Sequence, residues 1–113
     1  MREGYNKAEK HLKDYLTGKL RTDIDMRKLI IKTEHNGLDY SDDKTYNVLQ
    51  TRLKAIDSYL QYLKDTERRT HRIIMLFDYH KLPWANVANA IHLSESACQR
   101  RRKKAIKELA KWL

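Results

Sequence analysis

Glu95, Ser96, Gln99 and Arg100 fall within six consecutive residues and carry the groups that read base-pair edges. An arginine guanidinium pairs bidentately with guanine, a glutamine amide with adenine, and a carboxylate accepts from cytosine. Glu95 could equally orient a neighbouring arginine. On a helix these four positions face outward in the first two turns, the part of a recognition helix that meets the bases. Arg101, Arg102, Lys103, Lys104 and Lys107 follow around the later turns. They suit phosphate oxygens, contacts that set affinity and register without carrying sequence information. Lys111 extends the same basic run.

Such side chains need a rigid support, and the flanking residues predict one. Trp84, Val87, Ala88 and Ile91 recur at helical spacing and form one apolar face. Ala88 is small where two helices must cross closely. His92 and Leu93 make a turn, with Leu93 as an apolar plug, and Ser94 is a strong N-cap for the next helix. In that helix Ala97, Cys98, Ala105, Ile106 and Leu109 are expected to face inward. The order is that of a helix-turn-helix DNA reader. The competing explanation is a basic amphipathic helix that is only solvated or lies on a membrane. The membrane version is the weaker, because the apolar face it would insert is already needed in the core.

Charge points the same way. The 113 residues carry a net charge of +9. Residues 1–66 hold 13 Lys and Arg against 11 Asp and Glu, whereas residues 67–113 hold 11 against 4. A basic surface so localised favours a polyanionic partner, nucleic acid before anionic membrane. Three Gly and one Pro, against abundant helix formers, favour an all-α chain. A single cysteine, Cys98, excludes an intrachain disulfide and a Cys-rich zinc site. The N-terminal residues lack the apolar core of a signal peptide, and no window approaches a membrane span, so a cytoplasmic protein is expected.

Upstream, residues 4–35 read as helix through Tyr5, Ala8, Leu12, Tyr15, Leu16 and Leu20, then Ile24, Met26, Leu29, Ile30 and Ile31. Gly18 weakens the middle, and Thr22 or Asp23 could cap a second piece, so one bent helix and two separate ones both fit. Asn36 and Gly37 are a stop and turn signal. A long helix starts after Ser41, Asp42 or Asp43. Tyr46, Leu49, Leu53, Ile56, Leu60 and Leu63 give it a near-heptad stripe, widened by Val48, Tyr59 and Tyr62. That stripe fits a helical hairpin or a coiled-coil pairing with a second chain. A hinge is expected near residues 64–68, with Thr66 as N-cap of a helix over 67–79 that ends before Pro83.

Enzymatic chemistry finds no foothold. The five histidines show no ligand spacing with Cys98 or with carboxylates, and no Gly-rich phosphate loop occurs. The acids at 23, 25, 42 and 43 have no nucleophile or metal partner near them in sequence. No cofactor is implied. Cys98 is expected to be an inert core thiol.

Residues 70–113 resemble region four of bacterial sigma factors. The resemblance rests on Tyr79, Leu82, Trp84, Val87, Ala88, Ile91, Leu93, Ser94, Glu95, Ala105 and Leu109. Cys98 departs from it, standing where Val or Ile usually packs, as does the unusually basic run at 100–104. The other sigma regions are missing, so this is not a full sigma factor. A small helical chain with this block at its C-terminus is similar to the phage late-gene activators of the RinA and ArpU type. That resemblance implies a phage or prophage of a Gram-positive host and activation of packaging, structural or lysis genes.

The expected architecture is thus all-α, with five or six helices. Residues 1–66 form a helical hairpin or coiled-coil region, for oligomerisation or partner binding. Residues 67–113 form a three-helix helix-turn-helix module. The expected partners are double-stranded DNA, RNA polymerase and a second copy of the chain, with no membrane. Two alternatives remain: a sigma-like module that docks on polymerase or a host protein without reading DNA, and a packaging component like a small terminase subunit.

Overall fold

The computed structural model describes residues 2–34 and 40–113, and every element in it is a helix or helical turn. The helices are α1 (Arg2–Leu16), α2 (Lys19–Glu34), α3 (Lys44–Thr66), α4 (Arg68–Ile74), α5 (Trp84–Ile91) and α6 (Glu95–Trp112). A 3-10 turn, Tyr40–Asp42, precedes α3, and a π-helical turn, Met75–Tyr79, follows α4 directly. The chain is all-α, as its composition predicts. The Asn36 and Gly37 stop signal, with His35, Leu38 and Asp39, lies outside the described residues.

Local chemistry sets most boundaries. Between α1 and α2 the backbone turns at Gly18, whose φ of +85° is open to glycine at little steric cost. The first segment is therefore two helices. The second starts at Lys19, so Thr22 and Asp23 lie inside it and do not cap it. Asp43 caps α3 by accepting from the Tyr46 N–H at 2.7 Å. The same carboxylate takes Nε and Nη2 of Arg27, at 3.1 and 2.7 Å, which ties α2 to the start of α3.

Two expectations fail at the hinge. Thr66 does not cap α4; it is the last residue of α3, and its hydroxyl donates to the Tyr62 carbonyl at 2.7 Å. The break falls at Glu67, which leaves helical geometry at φ −137° and ψ 67°. The helix expected over 67–79 is α-helical only to Ile74 and then widens into the π turn. There the His80 and Leu82 amides donate to the Met75 and Leu76 carbonyls. Pro83, which cannot continue the ladder, flanks the start of α5.

The core divides differently from the sequence. Its larger cluster joins Ala8 and Leu12 of α1, Leu20 and Ile24 of α2, and Ile56, Tyr59, Leu60 and Leu63 of α3. It continues through Ile74 of α4 to Ala105, Ile106 and Leu109 of α6. A smaller cluster holds Ile73, Val87, Ala88, Ile91 and Cys98. The 66/67 boundary is thus a helix break, not a division between cores. Each fully buried Leu or Ile is worth about 1.5–3 kcal/mol. The contact between α1 and α6 therefore outweighs any surface ion pair, worth about 0–1 kcal/mol. The 46–63 stripe is used inside the chain as well: Ile56, Tyr59, Leu60 and Leu63 are buried, and the Tyr59 hydroxyl donates to the Ala105 carbonyl at 3.0 Å. Val48 and Tyr62, expected to widen the stripe, stay exposed. No described helix is long and apolar enough to cross a membrane.

Candidate nucleic-acid interface

Helix α6 starts where Ser94 stops the preceding turn. Its Oγ accepts from the Ala97 N–H at 3.1 Å, satisfying one of the amides that a helix start leaves open. One residue pair earlier, His92 closes α5 in the left-handed conformation at φ 63°. The His92 and Leu93 amides both donate to the Ala88 carbonyl, at 2.9 and 3.2 Å. Three residues therefore connect α5 to α6, and Ile91 and Cys98 pack in one cluster across the corner.

Cys98, Ala105, Ile106 and Leu109 are buried, which fixes the rotation of α6. Glu95, Ser96, Gln99, Arg100, Arg101, Lys103, Lys104 and Lys107 are all exposed. Ser96, Arg100, Lys103, Lys107 and Lys111 recur at steps of four and three, along one outward stripe. At roughly 1.5 Å per residue that stripe runs about 22 Å. Glu95 and Gln99 border it on one side and Arg101 on the other. Burial pushes the Cys98 thiol above its ordinary value, which suits a packed rather than a reactive group.

Arg102 corrects the phosphate set. It is 9% exposed and turned toward other elements of the chain. Its Nε and Nη2 donate to the Asp78 carboxylate at 3.0 and 2.8 Å, and Nη2 also donates to Glu9 at 2.8 Å. The Tyr5 hydroxyl lies 3.4 Å from Nη1, and the guanidinium sits 5.1 Å from the centre of the Phe77 ring. Burial alone would lower its pKa, but Asp78 and then Glu9 outweigh that and raise it above the ordinary value. Arg102 therefore joins α6 to α1 and to the π turn, and four of its five N–H donors are engaged within the chain. The signal was present in the spacing: position 102 is four after Cys98 and three before Ala105, on the inward face. Inside a run of five cations it reads as surface.

The other cations of residues 67–113 have no ion pair among the described residues. Residues 67–113 contain 11 Lys and Arg, and of these Arg102 alone forms an ion pair among the described residues. In the N-terminal half, Lys7, Lys19, Arg21 and Arg27 pair with Glu3, Asp23, Asp57 and Asp43. The unpaired set reaches beyond α6 to Arg68, Arg69 and Arg72 of α4 and to Lys81, all exposed. These four were not among the expected contacts, since they lie outside the recognition-helix pattern.

No family model, curated protein or solved structure matches the chain. Among the described residues no group of three or more His, Cys, Asp or Glu could hold a metal ion. What α6 offers is a row of unpaired cationic donors behind a short mixed set of donors and acceptors. That is the chemistry of a polyanion whose edges also carry hydrogen-bonding groups.

Proposed function

We propose that this chain binds duplex DNA through α6 and acts as a transcriptional regulator. Glu95, Ser96, Gln99 and Arg100 read base edges in the major groove. Arg101, Lys103, Lys104 and Lys107 contact phosphates. The observation that carries the reading is the outward stripe of unpaired cations on a helix whose opposite face is fixed in the core. Unpaired cations are the charges that displace counterions from DNA, and counterion release dominates such affinities. The finer role, activation of phage late genes with RNA polymerase as a partner, rests on the sequence resemblance to sigma region four and to the RinA and ArpU type.

Selection of bound fragments from random duplexes, with the mass of the complex measured alongside, tests this reading. A recovered motif, and an affinity that falls steeply with salt, are the expected results. Binding to polymerase that ignores both salt and DNA sequence would overturn DNA reading in favour of a protein-docking module. A ring-sized complex would favour a packaging component.

A further inference from the structure

Three exposed lysines without an ion pair among the described residues line one cleft beside α1. Lys10 and Lys13 of α1 and Lys81 line a cleft of about 380 Å³ whose floor includes Glu9, Asp78 and Arg102. Lys81 is 68 residues from Lys13, so the fold and not the local sequence brings them together. None of the three has a carboxylate within ion-pair distance among the described residues. The two acids of the cleft are both bonded to Arg102, which leaves four cations against two carboxylates. Lys81 also holds φ at 60°, a conformation that side-chain-bearing residues rarely adopt. Such outliers concentrate at binding sites, where surrounding structure holds them in place.

We infer that this cleft grips a backbone phosphate of the same duplex, so that α1 belongs to the DNA-contacting surface. The inference rests on the duplex-DNA reading of α6. Arg102 lines the cleft, and its chain neighbours Arg101 and Lys103, unpaired among the described residues, are exposed cations on the flanking faces of α6. Lys81 lies two residues before Pro83, at the entry to α5.

The test uses the full chain and a duplex of random sequence, with affinity measured across a salt series. The triple variant K10Q/K13Q/K81Q should bind less tightly and lose about one unit of salt slope, the share of one phosphate. K107Q, on the α6 stripe, serves as the reference and should lose about one unit. A triple variant with the wild-type slope, beside a K107Q variant whose slope falls, overturns the cleft contact and leaves the α6 reading standing. Two unchanged slopes overturn both. Uptake of inorganic phosphate that the triple variant abolishes, with DNA binding unchanged, would assign the cleft to a small phosphorylated ligand instead and overturn the inference. Lys81→Gly separates contact from conformation. It should raise Tm by relieving the backbone and still weaken DNA binding and lower the salt slope, by less than the triple variant does. A change in Tm alone would remove Lys81 from the surface.

Discussion

Arg102 and Arg100 lie two residues apart, one tied into the fold and the other exposed, and substitution should separate them. Arg102→Met leaves Asp78 and Glu9 without their partner. Breaking a buried pair from one side costs about 3–5 kcal/mol. The low end, about 3 kcal/mol, is expected because the Glu9 side chain is 42% exposed and can rehydrate. Arg102→Lys should recover little of this, since a point charge cannot span two carboxylates as the guanidinium fork does. Urea unfolding measures both, and a variant as stable as wild type would remove the tie. Where Arg102→Met still folds, its salt slope on DNA should change less than that of K107Q, because the guanidinium is already held by Asp78 and Glu9. Arg100→Ala is expected to do the reverse. It should leave stability within about 0.5 kcal/mol, cost about 1–3 kcal/mol of binding and relax selection at one base pair. Unchanged preference in a random-duplex selection would exclude Arg100 as a reader. The difference between the two arginines was only half legible in the sequence. Helical spacing places Arg102 inward, but its partners lie 24 and 93 residues away in the chain, where no local pattern reaches.

Elements were readable wherever one residue decides the boundary alone. Asp43 and Ser94 are such residues: a short acceptor before a helical run captures its own third amide. Ser94→Ala should therefore cost about 1 kcal/mol by losing that bond. Its effect should appear first in α6, as faster amide exchange at Ala97 and Cys98. Equal exchange rates at Ala97 in the two proteins would deny the cap its role. His92 offers the complementary gain. Its φ of 63° favours glycine, so His92→Gly should raise stability by up to about 1 kcal/mol, read as a higher Tm. Boundaries set by packing were less legible. Thr66 has the side chain of a cap, yet its hydroxyl returns to Tyr62 and the chain breaks one residue later. The π turn has no sequence mark. It is held by tertiary contacts, with Phe77 stacked on Trp84 at 3.9 Å between ring centres and Asp78 bonded to Arg102. Helix α2 misled for another reason: Met26 and Leu29 continue its apolar count but are more than half exposed.

At the scale of the whole molecule, the proposed DNA-reading half and the nearly neutral half depend on one core. Leu12 of α1 and Leu109 of α6 are each 1% exposed in the same cluster, and Glu9 reaches Arg102 from α1. Charge balance splits the sequence at residue 66, but charge is a surface property and does not report which apolar faces meet. A 67–113 fragment should accordingly lose cooperative unfolding, since Ala105, Ile106 and Leu109 would face water. A sharp melt of that fragment near the full-length Tm would overturn this view. Acid acts on the joined halves through two histidines. Burial, and then the Arg52 charge, lower the pKa of His11 in α1, while burial and Lys64 lower that of His71 in α4. Nδ1 of His11 is buried without a hydrogen-bond partner among the described residues. A histidine held below its usual value of 6.5 stays neutral in the fold where the unfolded chain would take up a proton. Unfolding then binds protons, so stability is whole above pH 6.5 and falls as pH drops through that value. The urea midpoint should accordingly be lower at pH 5.5 than at pH 7.5, and the double variant H11Q/H71Q should flatten that difference. An equally steep acid loss in the double variant would move the cause to the carboxylates that hold Arg102.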